Sequence, residues 1–339
     1  MINGHGDEYV GELEANFSSN VWYGAENEAL YSHLASIMPT TTRYPETDAA
    51  SLCKLIAVKN DIKPTQVAVC NGSTEAFYLI AQSFTGSVSL IVAPTFSEYA
   101  DACRLNKHKV HLSSRENLKQ NIETLKPALV WICNPNNPDG FSYTAKVIKE
   151  LITDFPQIIF VIDQAYKEFC MNEAILANEI NQYSNLILVQ SLTKRYIIPG
   201  LRLGYLISNE NLVAKITGFR IPWSVNTLAI EAGKFILEHD KTKLNLEVWL
   251  EETRLFQHNI NELGGYEICT SQTPYFLVKL LNGKAKDLKA FLLNDKILVR
   301  EATNFEGLEG EYIRIITLAR DKNELLISKL EAWNRNITA

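Results

Sequence analysis

The stretch SLTKRYIIPGLRLGY, residues 191–205, carries Lys194 and, eight positions later, Arg202. It begins at the end of the apolar run NLILVQS, whose length and branched residues predict a short buried strand. It runs into LRLGYLIS, which follows the Pro199-Gly200 turn too closely for a helical crossover and is therefore expected to be an antiparallel strand of the same sheet. The stretch thus predicts a lysine and an arginine at one end of a sheet.

Four more apolar runs of this kind precede it, namely PTQVAVCNGS, SLIVAP, PALVWICNP and QIIFVIDQA. Between them, STEAFYLIAQSF and SYTAKVIKELITDF repeat apolar residues every three or four positions, which is typical of helices, and Ser73 or Thr74 can cap the first of these. Strands that alternate with helices predict a mostly parallel sheet covered by helices.

The pattern changes after Trp223. One long helix is predicted from about residue 227 to residue 263, because Leu244 and Val248 are spaced at the helical period, and the glycine pair that follows ends it. The tail alternates the strand patterns YFLVKLL, ILVRE and YIRIIT with the helical patterns AKDLKAFLLND and DKNELLISKLEAW. This arrangement predicts a small α+β domain.

Composition and charge exclude several classes of function. The 339-residue chain has a net charge of −6, and its basic residues never form the stripe that nucleic-acid binding requires. Its longest apolar runs are far below the ~18 residues that span a bilayer, and MINGHGDEYV has neither the charge nor the apolar block of a signal peptide. We therefore expect a folded cytoplasmic protein with no nucleic-acid or membrane partner.

The six cysteines and six histidines are scattered without metal-ligand spacing. The cysteines form no CxxC pair, which favours small core residues in a reducing compartment. No metal site is predicted.

Polar residues follow the predicted strands at the edge where ligands bind in sheets of this kind. NGSTEAF opens a helix whose first amides can hold a phosphate, although such a turn is more often a plain helix cap. NPNNPDG is a rigid turn that can present an asparagine amide, or a simple surface turn. Asp163 directly follows five apolar residues, so it needs a cationic partner if buried, with a helix cap as the alternative; Tyr166 adds a hydroxyl nearby.

Lys194 completes this set. A lysine in a partly dry pocket loses proton affinity and becomes an amine nucleophile suited to Schiff-base chemistry, whereas a single lysine is usually a solvated surface charge. Pyridoxal phosphate presents matching groups for the whole set: an aldehyde for the lysine, a ring nitrogen for the carboxylate, a phenolic oxygen and a phosphate. The set predicts a site for this cofactor.

Four stretches carry a resemblance to a known family; along the chain they are NGSTEAF, NPNNPDG, DQAY and SLTKRYIIPGLRLGY. Together they resemble the fold-type-I pyridoxal-phosphate enzymes of the class I/II aminotransferase branch, nearest to the histidinol-phosphate aminotransferase and threonine-phosphate decarboxylase group. The likeness runs from near residue 3 to near residue 335. It implies an α/β fold with a mostly parallel seven-stranded sheet in the large domain. It also implies an amino-terminal segment (1–30) that joins the small domain and active site, a large cofactor-binding domain (31–225) and a small α+β domain (226–339).

The resemblance also implies roles for individual residues. On the cofactor ring, Lys194 forms the Schiff base, Asp163 pairs with the ring nitrogen, Asn137 and Tyr166 bind the phenolic oxygen, and Tyr99 stacks on the ring. The cofactor phosphate is held by Ser73, Thr74, Ser191 and Arg202, together with Tyr44 from a second subunit. The substrate is held by Arg314 and Arg300, with Asn20, His5 and Asn137 nearby. A homodimer acting on a phosphorylated amino acid or amino alcohol is therefore expected.

Two reactions share nearly all of these residues. GHG, NFSSN, APTFSEY and ILVREATNFEGL resemble the decarboxylases, which favours decarboxylation of L-threonine O-3-phosphate to an aminopropanol phosphate for cobalamin. The alternative is transfer of an amino group from histidinol phosphate, or a similar amine, to 2-oxoglutarate. GHGDE and NVWYG depart from the decarboxylase pattern close to the expected substrate. A third hypothesis is a non-catalytic scaffold that keeps the fold. The presence of Lys194, Asp163 and Arg202 together argues against it, because a scaffold needs none of these three residues.

Overall fold

The structure is a computed structural model that describes residues 9, 11–239 and 242–338. The described strands are β1 (Ala15–Asn16), β2 (Val67–Asn71), β3 (Val88–Val92), β4 (Lys109–Ser113), β5 (Leu129–Cys133), β6 (Ile159–Asp163), β7 (Leu186–Ser191), β8 (Leu203–Ile207), β9 (Tyr266–Ile268), β10 (Tyr275–Leu280), β11 (Ile297–Leu298), β12 (Arg300–Glu301) and β13 (Tyr312–Ile316). The described α-helices are α1 (Glu28–Ile37), α2 (Ala50–Lys59), α3 (Gly72–Ser83), α4 (Glu98–Leu105), α5 (Leu118–Leu125), α6 (Ala145–Asp154), α7 (Glu210–Thr217), α8 (Thr227–His239), α9 (Leu246–Glu262), α10 (Ala285–Leu293) and α11 (Arg320–Thr338).

The largest sheet has seven strands in the order β2-β8-β7-β6-β5-β3-β4. Strand β8 is antiparallel to both of its neighbours, with Ser191 opposite Gly204, and the remaining pairs are parallel. The predicted α/β fold with a mostly parallel sheet is confirmed, as is the antiparallel strand after the Pro199-Gly200 turn. Strand β4 was not predicted, because three of the five residues in KVHLS are polar and the strand lies at the edge of the sheet.

Helices cover both faces of this sheet. One buried apolar cluster lies between the sheet and α2, α5, α6 and α8, and a second lies between the opposite face and α3, α4 and α7. Strands covered on both faces are apolar at nearly every position, which is why their sequences are continuous apolar runs. Both clusters leave the carboxyl ends of the parallel strands open to a cavity.

A smaller sheet, β12-β13-β10-β9, packs with α9, α10 and α11 around a third apolar cluster. The predicted strands YFLVKLL and YIRIIT and both predicted helices of the tail form, whereas the single strand predicted for ILVRE is split into β11, which pairs with β1, and β12, which belongs to the smaller sheet. The division of the chain at residues 30/31 and 225/226 stays a prediction.

The long helix predicted for residues 227–263 is wrong. The structure has two helices there, α8 and α9, and the side chain of Asn245 caps the second by accepting a hydrogen bond from the Val248 amide. Leu244 precedes the helix, and Val248 is exposed, so these two residues do not share a buried helical face. Asparagine stabilises a helix start better than a helix interior, and this cap begins the second helix.

The amino-terminal segment connects the two sheets. Ala15 and Asn16 pair with Ile297 and Leu298, and the Phe17 carbonyl accepts a hydrogen bond from the Ile316 amide. Further along, the Trp22 amide donates to the carbonyl of Lys194 at 3.0 Å. No helix in the described part of the chain is long and apolar enough to cross a membrane.

Candidate active site

A cavity of about 610 Å³ opens at the carboxyl ends of the parallel strands. It brings together twelve of the predicted site residues, namely Asn20, Ser73, Thr74, Tyr99, Asn137, Asp163, Tyr166, Ser191, Lys194, Arg202, Arg300 and Arg314. Tyr44 does not line the cavity of its own subunit; it is 83% exposed and packs on the Trp223 ring. His5 lies outside the described residues.

One end of the cavity is formed by the start of helix α3. The helix begins at Gly72, so Ser73 and Thr74 lie in its first turn. The prediction that the side chain of Ser73 or Thr74 caps this helix is therefore wrong. Their amides belong to the group that an α-helix leaves without internal partners, at the positive end of its dipole. Arg202 lies beside them: a β-carbon on Gly72, whose φ is +76°, would be 2.5 Å from Arg202 Nη2. This end of the cavity is suited to a phosphate.

Lys194 follows strand β7 in the same wall. Ser191 and Thr193 are joined through their hydroxyl oxygens at 2.9 Å, which fixes the start of the loop that carries the lysine. The Nζ atom of Lys194 lies 5.8 Å from the centre of the Tyr166 ring. Burial raises the pKa of the Tyr166 phenol, and the nearby charge of Arg314 acts against that rise.

Asp163 is 5% exposed at the end of strand β6. Its Oδ2 atom accepts a hydrogen bond from the Tyr99 hydroxyl at 2.5 Å, and its Oδ1 atom accepts one from the Ala165 amide at 2.9 Å. Burial raises the pKa of this carboxyl to about 6, although both hydrogen bonds and the charge of Lys194 lower it. A buried carboxylate with a raised pKa is stabilised by a cationic group placed next to it, such as a protonated ring nitrogen.

Two arginines form the side of the cavity that belongs to the small sheet. Arg300 on β12 is paired directly with Arg314 on β13, so both side chains lie on one face of that sheet. Arg300 donates to Asn304 Oδ1 at 2.9 Å, and its guanidinium carbon lies 5.4 Å from the centre of the Phe305 ring.

Arg314 is buried with neutral partners. It donates to Asn137 Oδ1 at 2.5 Å and to the Ser18 carbonyl. It makes no ion pair with any residue that the structure describes, and burial lowers the pKa of its guanidinium, which the nearby Tyr166 and Tyr275 phenols act against. A buried guanidinium without a carboxylate is costly, so the site favours an anionic ligand.

Asn20 adds a second unsatisfied group. Its side chain is 2% exposed and lines the cavity; neither amide atom is in hydrogen-bond geometry with a described residue, although the amide is close enough to the Tyr166 phenol to act against the rise in its pKa. A buried amide without partners costs about 1–3 kcal/mol. A polar ligand in the cavity would remove that cost.

Several cavity residues were not predicted from the sequence. They are Ser18, Ser19, Gly72, Tyr78, Phe96, Ser97, Glu98, Cys133, Ala165, Thr193, Pro199, Asn304 and Phe305. Tyr78 was accessible to prediction, because it lies one helical turn after Thr74, and so was Glu98, because it precedes Tyr99. Nothing in the sequence distinguishes Asn304 and Phe305 from other loop residues.

Comparison with known proteins identifies the family. The model of the aminotransferase class I and II family matches residues 10–330. The chain belongs to this family. A solved L-threonine-O-3-phosphate decarboxylase from Porphyromonas gingivalis is 39% identical, with a TM-score of 0.92 over 95% of this chain and 99% of that one.

Relatives with both activities are similar to the chain. A histidinol-phosphate aminotransferase from Thermoanaerobacter sp. (strain X514) is 31% identical and matches 85% of this chain and 83% of the relative. A threonine-phosphate decarboxylase from Salmonella typhimurium is 28% identical and matches 85% of this chain and 82% of the relative. Both enzyme types were named in the sequence resemblance, which is confirmed at the level of the family.

Pyridoxal 5′-phosphate is the cofactor of this class I and II family. The cavity fits it: the first turn of α3 and Arg202 suit its phosphate, Asp163 suits its ring nitrogen, and the Lys194 amine suits its aldehyde. The roles given to single residues stay predictions. Tyr99 lines the cavity as a stacking residue must, and its hydroxyl also holds Asp163.

Proposed function

We propose that the protein decarboxylates L-threonine O-3-phosphate to (R)-1-aminopropan-2-yl phosphate, a step that serves cobalamin biosynthesis. The observation that carries this proposal is the pairing of Arg300 with Arg314 on one sheet face, with Arg314 buried and lacking a carboxylate partner among the described residues. Threonine phosphate carries two anionic groups, a carboxylate and a phosphate, and two guanidinium groups match them. The 39% identity to the Porphyromonas gingivalis decarboxylase supports the same substrate.

Pyridoxal phosphate supplies an electron sink for the bonds at Cα of a bound amino acid. The residues of the chain decide which of those bonds is aligned for cleavage. Arg300 and Arg314 hold the two anionic groups of the substrate and thereby set the rotation about Cα. A grip by Arg300 and Arg314 that aligned the Cα–COO⁻ bond with the π system of that sink would favour loss of carbon dioxide, with a proton taking its place on Cα.

Lys194 and Asp163 complete the chemistry on the cofactor side. The Nζ atom of Lys194 is the amine of the cavity that can exchange with the substrate amine and carry a proton to Cα. Asp163, held by the Tyr99 hydroxyl and the Ala165 amide, keeps a proton on the ring nitrogen. The buried Asn20 amide and the Asn137 amide, whose oxygen is already used by Arg314, are donors for oxygens of the bound molecules.

The proposal includes a homodimer in which Tyr44 reaches the cofactor phosphate of the other subunit. Tyr44 does not line its own cavity, and its side chain packs on the ring of Trp223, which is also exposed. Met38, Phe219 and Ile221, which are close to these two residues in the sequence, are exposed apolar side chains as well. Exposed apolar side chains that pack on each other, as Tyr44 and Trp223 do, are typical of a protein–protein contact.

The test is to incubate the purified holoenzyme with L-threonine O-3-phosphate and no keto acid, and to measure release of carbon dioxide. We expect release by the wild type and none by Lys194→Ala. No release by the wild type, together with amino transfer from histidinol phosphate to 2-oxoglutarate, would overturn the proposal.

The second candidate is that aminotransferase reaction. The 31% identity to the Thermoanaerobacter enzyme favours it, and the arginine pair also suits the two carboxylates of 2-oxoglutarate. The two candidates differ in what the reaction consumes, because only the transfer requires a keto acid.

A further inference from the structure

A buried polar network lies directly behind the cofactor residues. Gln190 Oε1 accepts hydrogen bonds from Lys167 Nζ at 2.8 Å and from the Tyr205 hydroxyl at 2.6 Å. Gln190 Nε2 donates to Gln164 Oε1 at 3.0 Å, and Gln164 Nε2 donates to the Ile175 carbonyl at 3.0 Å. Both glutamines are almost fully buried, and each amide has both a donor and an acceptor bond, so the network is well determined.

The members of this network are chain neighbours of the predicted cofactor residues. Gln164 follows Asp163, Lys167 follows Tyr166, and Gln190 precedes Ser191. Successive side chains along a strand point to opposite faces of the sheet. Val161 and Val189 belong to one apolar cluster, and Ile162 and Leu188 belong to the cluster on the other face. By this alternation Asp163 lies on the face of Val161, and the two glutamines lie on the opposite face.

The geometry therefore links the network to two strand ends at once. The side chains of Gln164 and Gln190 connect the ends of strands β6 and β7, which deliver Asp163 and Ser191. Lys167 connects the turn after β6, which carries Tyr166, to the same Gln190.

Lys167 has no evident value for stability. It makes no ion pair with any residue that the structure describes, and burial lowers the pKa of its ammonium, with only the charge of Glu168 acting against that. A methionine of similar length would fill the space without that cost. The contact that its ammonium makes among the described residues is the hydrogen bond to Gln190.

We propose that Lys167 is a positioning residue that, through Gln190 and Gln164, holds the Tyr166 turn and the Asp163 and Ser191 strand ends at the spacing the cofactor needs. The inference rests on the cofactor of the family and not on which reaction follows. It assigns to Lys167 no contact with the cofactor or substrate.

The test measures the affinity of the apoprotein for pyridoxal phosphate by equilibrium titration, together with the unfolding midpoint, in Lys167→Met and Gln190→Leu. We expect each variant to bind the cofactor about tenfold more weakly. Because the two residues act through one hydrogen bond, the double variant should be no weaker than Gln190→Leu. Lys167→Arg, which keeps a cationic donor, should bind within about threefold of the wild type.

The matched control is Lys149→Met. Lys149 is also a partly buried lysine, but it pairs with Glu179 away from the cavity. This variant should change the unfolding midpoint and leave cofactor affinity as it was. Unchanged cofactor affinity in Lys167→Met, or additive losses in the double variant, would overturn the proposal. Since no substrate is present, this outcome is independent of the test for decarboxylation.

Discussion

A β-carbon on Gly204 would lie 2.4 Å from the backbone nitrogen of Ser73. The same atom would lie 2.8 Å from the Gly72 carbonyl carbon and 2.9 Å from the Gln190 carbonyl oxygen. All three neighbours are backbone atoms, so no side chain can move aside. The absence of a side chain at Gly204 therefore sets how closely strand β8 and helix α3 approach, and with it the position of the phosphate end of the cavity.

Gly204→Ala should weaken cofactor binding at least tenfold and lower the free energy of unfolding by about 1–3 kcal/mol, because helix α3 must shift away from β8. Titration of the apoprotein with pyridoxal phosphate and urea unfolding measure the two effects. The control is Gly200→Ala in the turn before β8, where a β-carbon meets nothing within 4 Å and φ is not positive. Equal effects of the two substitutions would show that close packing at Gly204 is not the cause.

Asp163→Asn should change how apoprotein stability depends on pH. The folded chain raises the pKa of Asp163 from 3.8 to about 6, so it binds the proton more tightly than the unfolded chain does. Apoprotein stability from this group is therefore greatest below pH 3.8 and falls as the pH rises to about 6. The variant lacks this loss, which amounts to about 3 kcal/mol.

Urea unfolding of both apoproteins between about pH 4.5 and 7.5 checks this expectation. The gain of Asp163→Asn over the wild type should grow with pH and then level off. Asp154→Asn, at an exposed pair with Lys119, should show a small and nearly constant difference. A gain for Asp163→Asn that does not vary with pH would contradict the role of the buried charge. The same variant should bind the cofactor more weakly, because the ring nitrogen loses its anionic partner.

Arg314→Gln should affect the substrate and spare the cofactor. It removes a buried guanidinium held by Asn137 and the Ser18 carbonyl, and loss of a buried charge partner costs about 2–5 kcal/mol. We expect kcat/KM to fall by a factor of about 10² or more, with cofactor affinity within threefold of the wild type. Steady-state kinetics and apoprotein titration measure the two quantities. Arg254→Gln, which breaks an exposed pair with Glu251, is the control. A cofactor affinity that falls as far as kcat/KM would place Arg314 on the cofactor instead.

If Tyr44 serves the neighbouring subunit, mixing the Tyr44→Ala and Lys194→Ala variants should restore activity that neither variant has alone. Each variant alone should have low activity at limiting cofactor. In a mixed dimer, one site receives Lys194 from the first chain and Tyr44 from the second, so activity should return after subunit exchange. Activity assays before and after mixing, with sedimentation to establish the dimer, make the measurement. Mixtures that stay at the level of the separate variants would count against the shared site.

The strands of the large sheet were predictable because burial on both faces requires continuous apolar runs, as in the run that ends at Asp163. Strand β8 was predictable from the short turn before it. Strand β1 was not, because two residues form a strand only where Ile297 and Leu298 are available to pair with them. Such a pairing depends on residues nearly 300 positions away.

The cofactor end of the cavity was easier to predict than the substrate end. Lys194, Asp163 and Ser73 each follow a recognisable strand or open a helix. Their positions in the sequence therefore place them at the ligand-binding edge of the sheet, and their side chains or amides match groups of the cofactor. Asn304 and Phe305 line the cavity from a loop whose path is set by packing against Arg300. The hydrogen-bond network of Lys167 could not be predicted for a different reason. In the sequence its residues cannot be distinguished from surface polar residues, and only the folded sheet brings them together.

The segment around Ser18 and Trp22 is synthesised long before its partners. Trp22 pairs with Lys194, the carbonyl of Ser18 accepts from Arg314, and Phe17 bonds to Ile316. Trp22 can make its contact once Lys194 has been synthesised, whereas Phe17 and Ser18 must wait for Ile316 and Arg314, which lie almost 300 positions further along the chain. All seven strands of the large sheet lie before residue 208, so these strands can pair before the partners of Phe17 and Ser18 exist, whereas the substrate end of the cavity requires Arg314 as well.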